Sequence, residues 1–200
     1  MATPPELTRQ HEDPDRTPPT VLSTTLRSIS IAGFEYRERQ VAARRMNPRH
    51  SHDYHCIGFL ISGQGAAEIG TQCWTVRPGC LNVIPQGVLH VERLGTRQIR
   101  WLGIEIPALQ DQFAAEARRA FDRPLQLSGG PAVATAARIY REVRLADDVS
   151  SLSLHGLGLE LLATLARISR PCTDGGRRGW VARAEDYLRA NFLESLTLEE

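Results

Sequence analysis

A change of periodicity at Pro107 constrains the fold of this chain more than any other feature of its sequence. From Val21 to about Ile106, short apolar runs alternate with glycine and proline, as in CIGFLISGQGAAEIG and CWTVRPGCLNVIPQGVLHV. Regular short strands separated by Gly-rich turns are typical of an antiparallel barrel or sandwich. Beyond Pro107 the apolar residues recur at helical spacing. The sequence therefore predicts a mainly β protein with C-terminal helices.

Three helices are predicted after Pro107. The segment ALQDQFAAEARRAFD favours a helix that stops before Pro124, and two more are expected from Ala132 to about Ala146 and from Ser151 to about Ser169. One face of the third helix is an apolar stripe formed by Leu154, Leu157, Leu161, Leu165 and Ile168, and widened by Leu152, Leu159 and Leu162. Because one sheet face cannot easily cover so broad a surface, we expect the stripe to pair helices in a homodimer.

The two ends of the chain differ in composition from its centre. Residues 1–20 contain five prolines and little apolar content, which is typical of a flexible arm. The segment RPCTDGGRRG combines proline with three glycines and indicates a linker. After it comes an amphipathic helical pattern, and Thr197 with Glu200 fits a capping box. A new helix is therefore expected to begin where the chain ends.

Composition limits the class of function. The 24 basic residues are all arginine and are matched by 23 acidic ones, for a net charge of +1. Without a global basic field, any contact with DNA must come from a local element. The N-terminus lacks the apolar core of a signal peptide, and no stretch approaches the ~20 apolar residues of a membrane span. We expect a cytoplasmic protein with no membrane partner, whose four cysteines are free thiols.

The segment RHSHDYHC places three histidines and a cysteine in eight positions. Alternate side chains of an extended strand share a face. We therefore expect His50 and His52 to point the same way as Tyr54 and Cys56, and His55 to point away.

A fourth histidine, His90, follows the turn PQG and comes from a different strand. Together with His50 and His52 it offers three facial ligands for zinc, iron, nickel or manganese. Imidazoles that bind a small molecule without a metal are the alternative. The predicted ligand-binding set consists of these three histidines, Cys56 and Trp101. Further aromatic candidates for stacking on a ligand, each with a place in the core as the alternative, are Trp74, Tyr36 and Phe59.

These residues resemble the two cupin motifs. HSH, beginning at His50, is similar to the first motif, and GCLNVIPQGVLH, ending at His90, is similar to the second. Two positions depart from the pattern: Cys56 stands where a glutamate ligand is usual, and Leu94 where asparagine is common. A three-histidine site survives both changes, whereas a four-ligand site needs Cys56 or water.

The order of arm, barrel, helices, linker and new helix is similar to the AraC/XylS family of bacterial transcription regulators. The resemblance is carried by HSHDYHCIGFLISGQGAAEIG, RPGCLNVIPQGVLH and RAEDYLRANFLESLTLEE. It implies a cupin-like effector-binding barrel or jelly roll at 21–107 and dimerisation helices at 108–170. A linker at 171–179 and the incomplete start of an all-α helix-turn-helix domain at 180–200 would follow. The arm at 1–20 either closes over the pocket or is plain disorder.

The resemblance implies a regulator that senses a small-molecule effector and is not an enzyme. Base reading needs a recognition helix in the major groove, and the chain ends before one. Operator DNA is therefore an expected partner of the complete protein only. The alternative is a small metal-dependent cupin enzyme, a dioxygenase or isomerase with iron on the three histidines, which would resemble thiol dioxygenases in replacing the motif glutamate with cysteine. Its candidate acids or bases are Glu68 and Glu105.

Overall fold

The structure is a computed structural model that describes residues 23–107 and 114–170. The predicted arm, the linker and the start of a helix-turn-helix domain lie outside the described residues. The same is true of the first part of the helix predicted in ALQDQFAAEARRAFD.

Within the described ranges the chain forms ten strands and three α-helices. The strands are β1 (Ser23–Ile31), β2 (Phe34–Val41), β3 (Met46–His50), β4 (His55–Ser62), β5 (Gly65–Ile69), β6 (Gln72–Val76), β7 (Leu81–Ile84), β8 (His90–Leu94), β9 (Ile99–Ile106) and β10 (Leu125–Leu127). The helices are α1 (Ala114–Arg118), α2 (Pro131–Leu145) and α3 (Ser150–Ile168), and a 3-10 turn at Arg119–Phe121 follows α1. The protein is thus mainly β with C-terminal helices, and α2 and α3 lie within one residue of their predicted bounds.

The strands form two antiparallel sheets. One has six strands in the order β1-β2-β9-β4-β7-β10, and the other has four in the order β3-β8-β5-β6. A two-residue turn joins β1 to β2, and both of its residues, Ala32 and Gly33, have positive φ (49° and 83°). Such turns match the twist of the paired strands. No helix in the described part of the chain is long and apolar enough to cross a membrane.

The six-stranded sheet uses its two faces differently. Along β9, Leu102, Ile104 and Ile106 are buried against the helices in the main apolar core. Trp101, on the alternate face of the same strand, lines a cavity between the two sheets. Because side chains alternate along a strand, neighbouring residues of β9 contact the cavity on one face of the sheet and the helices on the other.

The leucine stripe of α3 belongs to this core. Leu154, Leu157, Leu161 and Leu165 are at most 7% exposed, and Ile168 is 37% exposed. The expectation that the chain itself cannot cover the stripe is wrong for the four leucines, because α2 and the sheet cover it together. These four side chains contribute to folding of the single chain, since burial of each large apolar side chain stabilises it by about 1.5 to 3 kcal/mol.

Candidate functional site

The cavity between the two sheets has a volume of about 450 Å³. A cleft of this size holds a small organic molecule. Apolar walls come from both sheets and include Val41, Leu60, Ala67, Val76, Ile84, Leu94 and Ile99. Polar side chains that reach the cavity include Arg39, Asn47, His50, His52, Tyr54, Asn82, His90 and Glu92. The cavity can therefore hold a ligand that has both an apolar and a polar part.

Three histidines converge in the cavity. Their ligand atoms all lie within 4.8 Å of one another, and the ring centroids of His50 and His90 are 4.1 Å apart. The register of β3 on β8 places His50 directly opposite His90. His52 lies between β3 and β4, which belong to different sheets. The prediction that His50 and His52 share one continuous strand is wrong, because the chain leaves the strand after His50 to cross between sheets.

Backbone carbonyls hold two of the imidazoles in place. Nδ1 of His50 lies 2.7 Å from the Pro48 oxygen, and Nδ1 of His90 lies 3.0 Å from the Val88 oxygen. A carbonyl oxygen only accepts, so each Nδ1 carries the proton and donates. The Nε2 atoms of both residues then present lone pairs. A ligating histidine is usually oriented by such a hydrogen bond from its other nitrogen.

Burial favours the neutral form of His52 and of His90. It lowers the pKa of His52 to about 4, with further lowering by the nearby His90 and His50. Burial likewise lowers the pKa of His90. A metal ligand must be deprotonated, and a neutral imidazole meets this requirement.

The three histidines fit a divalent metal ion. Three imidazole nitrogens suit zinc, iron, nickel or manganese, and leave coordination positions for a small molecule. A metal bound here would supply a Lewis acid that polarises an oxygen of that molecule. The chain's own contribution is to orient the imidazoles of His50 and His90 through backbone carbonyls and to bring them together with His52.

Cys56 and Tyr54 line the same cavity. The Tyr54 ring stacks on His52 with centroids 4.7 Å apart. Burial, followed by the nearby Glu105, raises the pKa of Cys56 and of Tyr54 to about 12 in each case. Since the thiolate is the metal-binding form of cysteine, a protonated thiol is a weak ligand.

Trp101 lies flat against the sheet because glycines surround it. A Cβ atom at Gly103 would come within 3.2 Å of the indole, and one at Gly58 within 3.5 Å. The Arg39 guanidinium carbon lies 5.7 Å from the indole centroid, within the range of a cation–π interaction. Trp101 therefore forms a flat apolar wall of the cavity with a positive charge beside it.

The two candidate acids of the enzyme alternative lie in different environments. Glu105 is 2% exposed, and its carboxylate contacts Arg37 at 2.6 Å and Arg39 at 2.8 Å. Burial raises its pKa while the two arginines oppose that effect. Glu68 is exposed, pairs with Arg93 and does not line the cavity.

The remaining predicted side chains lie outside the cavity. The His55 ring stacks on Phe121 at 4.1 Å, away from the other histidines, as the alternation of side chains predicts. Tyr36 and Phe59 belong to the core beneath the helices, and Trp74 belongs to the smaller apolar cluster. Trp101 is the aromatic side chain of this group that reaches the cavity.

Sequence reasoning missed several polar residues of the cavity, including Arg39, Asn47, Asn82 and Glu92. Glu92 follows His90 by two positions on β8, so the alternation of strand side chains was a signal for it. Asn47 becomes visible only from the pairing of β3 with β8, which places it opposite Glu92. Arg39 carried no signal, because arginines occur throughout the chain.

Comparison with known proteins places this architecture in a family. No protein with a curated description matches the chain significantly. Solved structures that resemble it include KdgF from a Halomonas species (15% identity, 42% of this chain and 79% of that chain, TM-score 0.38). It also resembles a cupin superfamily protein from Desulfitobacterium hafniense (14% identity, 44% of this chain and 77% of that chain, TM-score 0.38). A further similar structure is the DMSP lyase DddQ from Ruegeria pomeroyi (22% identity, 39% of this chain and 40% of that chain, TM-score 0.36). The sequence profile of the AraC-like ligand binding domain matches residues 31–162, which is more than half of the chain, and the chain belongs to that family.

Proposed function

We propose that this chain is the effector-sensing part of an AraC-type transcriptional regulator, in which a small molecule binds in the cavity between the two sheets. The observation that carries the proposal is the shared sheet. One face of β9 presents Trp101 to the cavity, and the other presents Leu102 and Ile104 to the core under the helices. A ligand that shifts this strand also acts on the packing of α2 and α3.

The coupling needs only a modest free energy. An effector can shift an equilibrium only through a difference in affinity between two arrangements, and this difference is typically about 1 to 3 kcal/mol. Binding in the cavity and packing of the helices share a sheet, so the ligand can favour one helix arrangement. DNA contact is proposed for the complete regulator, where a helix-turn-helix domain would respond to that arrangement.

A homodimer is part of the proposal, through the side of α3 that carries Leu152 and Leu159 at the margin of the predicted stripe and not through its four buried leucines. Leu152 is 78% exposed, Gly156 and Ala163 are also exposed, and Leu159 is half-buried. These four positions recur at helical spacing and form one side of α3. Small residues beside two leucines permit close approach of a second helix. We propose that this side contacts a second copy of the chain.

A ligand screen by thermal shift tests the sensing function. A ligand that binds the native state raises the melting temperature. The expected hit stabilises the wild-type protein and has a weaker effect on Trp101→Leu, whereas Leu26→Ala, on the outer strand β1, responds like the wild type. Mass spectrometry of the recovered ligand should show it unchanged. If every ligand that stabilises the wild type also stabilises Trp101→Leu equally, the cavity is not the sensing site.

The second candidate is a small metal-dependent cupin enzyme, a dioxygenase or isomerase. The close approach of His50, His52 and His90 favours it. Against it, the buried carboxylate of Glu105 is tied to two arginines and is poorly placed to exchange protons. Metal-dependent conversion of a hit from the ligand screen would favour the enzyme over the sensor.

A further inference from the structure

Asn47 connects the three-histidine cluster to a carboxylate. Its side-chain nitrogen Nδ2 lies 3.1 Å from Nε2 of His50 and 3.2 Å from Oε2 of Glu92. Pairing of β3 with β8 sets Asn47 opposite Glu92. Glu92 also follows His90 by two residues, so the alternation of β8 directs both side chains to the cavity.

The hydrogen-bond roles at Asn47 are determined by its partners. Nδ1 of His50 donates to the Pro48 carbonyl, so Nε2 of His50 is an acceptor. An ionised carboxylate also only accepts. The amide must therefore present its NH₂ group to both partners. Two lone pairs, one from an imidazole and one from a carboxylate, converge on this NH₂ group.

The partners of Glu92, which lines the cavity, differ from those of the buried Glu105. Glu105 is paired with Arg37 and Arg39. Glu92 is held by the neutral amide of Asn47, and in the described part of the chain no ion pair to an arginine neutralises it. A carboxylate that Asn47 links to His50, and that no arginine of the described residues neutralises, favours a cation.

We propose that Glu92 becomes the fourth protein ligand of a divalent metal ion held by His50, His52 and His90, and that the Asn47 amide bridges Glu92 and His50 until the ion binds. The proposal rests on the metal-binding capacity of the three histidines described above. Asn47 and the cation compete for the same two acceptors, so binding of the ion turns the amide away. Glu92 thus supplies the acidic ligand for which Cys56, a buried thiol, is poorly suited.

This assignment defines the chemistry of the site. Three neutral nitrogens and one carboxylate oxygen suit zinc, iron, nickel or manganese, whereas a thiolate would favour softer ions. A six-coordinate ion with four protein ligands keeps two positions for a small molecule. The cavity would then recognise a molecule that presents oxygen donors, such as a carboxylate or neighbouring hydroxyl groups, and whose apolar part contacts Trp101.

Cobalt(II) titration of the full chain tests the proposal. The protein is first stripped with a chelator, and binding is followed by calorimetry and by visible and near-ultraviolet absorption. Glu92→Gln keeps the shape of the side chain and removes the charge. We expect it to weaken cobalt affinity by at least about 10-fold, since loss of a hydrogen-bond partner behind a ligand already costs that much. Glu68→Gln, the same change on the neighbouring strand β5 but outside the cavity, is the matched control and should retain the wild-type affinity. Melting curves of each variant establish that it is folded.

Two results would overturn the assignment of Glu92. One is a cobalt affinity of Glu92→Gln equal to that of the wild type. The other is a thiolate-to-cobalt charge-transfer band in the wild type, which would assign the fourth ligand to Cys56. A His50→Ala, His52→Ala double variant tests the three-histidine site separately from the assignment of Glu92. If it binds cobalt as tightly as the wild type, the histidine site itself is wrong, while the ligand screen still tests sensing independently.

Discussion

The hydroxyl group of Tyr36 donates a hydrogen bond to the carbonyl oxygen of Leu154 across 2.8 Å. Both residues are fully buried, and the contact joins β2 of the six-stranded sheet to α3. Burial raises the pKa of Tyr36, so the hydroxyl keeps its proton and remains a donor. This bond sets the distance between the sheet and the helix that covers it.

Gly158 and Gly156 should respond in opposite ways to replacement by alanine. A Cβ atom at Gly158 would overlap the Tyr36 hydroxyl and lie 3.1 Å from the Phe34 ring, whereas Gly156 has nothing within 4 Å. Helix propensity alone predicts that either change stabilises α3 by about 1 kcal/mol. At a protein concentration low enough for the chain to be monomeric, we expect Gly156→Ala to do so. We expect Gly158→Ala to lower the free energy of unfolding by about 1 to 3 kcal/mol because of overpacking. Urea denaturation measures both, and equal effects of the two changes would contradict the described packing.

Glu38 should contribute much more to stability than Glu68. Glu38 is fully buried and accepts hydrogen bonds from Arg100 at 2.6 Å and from Tyr140 at 3.0 Å, which joins β2 to β9 and to α2. Because charged hydrogen bonds each contribute about 1.5 to 3 kcal/mol, we expect Glu38→Ala to cost at least about 2 kcal/mol. Glu68→Ala removes an exposed ion pair with Arg93 and should cost less than about 1 kcal/mol. Denaturant midpoints of the two variants measure both losses of stability. A larger loss for Glu68→Ala than for Glu38→Ala would contradict the prediction.

Substitutions at Leu161 and Leu152 should affect folding and association separately. Leu161 is 1% exposed and Leu152 is 78% exposed. Leu161→Glu buries a charge in the core and should cost about 3 kcal/mol or more of folding free energy. Leu152→Glu should leave the monomer folded, remove the concentration dependence of the melting temperature, and shift the mass in solution from dimer to monomer.

Light scattering coupled to size-exclusion chromatography, together with melting curves, measures both effects. The wild-type protein should elute with the mass of a dimer. A Leu152→Glu protein that keeps this mass would exclude the proposed side of α3 as the interface.

Acid should destabilise the protein through its buried histidines. The pKa of His52 in the folded protein is lowered to about 4, and that of His90 is also lowered. As the pH falls below about 6.5, the ordinary pKa of histidine, the unfolded chain binds protons that the folded chain does not. The stability contribution is therefore complete above that pH and is lost as the pH falls towards the folded pKa.

Melting temperatures at pH 7 and pH 5, measured with a chelator present, check this expectation. The wild-type melting temperature should fall between these pH values. His52→Gln lacks one of the titrating groups, so its decrease should be smaller. If both proteins lose the same amount, His52 does not carry the effect.

Much of the fold could be predicted from local patterns. Among the described residues, nine of the ten strands precede Pro107 and the three α-helices follow it, while the short strand β10 after Pro107 was not predicted. The bounds of α2 and α3 agree with the predicted ones to within one residue. Likewise, alternation along β4 places Cys56 in the cavity and the neighbouring His55 against Phe121. Helix bounds and the alternation of side chains along a strand are local properties, because the residues of each segment determine its backbone geometry.

Only the tertiary structure determined which segments of the chain contact one another. The leucines of α3 form the same apolar stripe in the sequence whether a second chain or the chain's own sheet covers them, and the fold buries four of them internally. His50 and His52 meet His90 through a crossing between sheets and not along one strand. Glu92 and Asn47 come together through strand register. Contacts between distant segments depend on register and on the sum of many weak packing energies, which no single stretch of sequence contains.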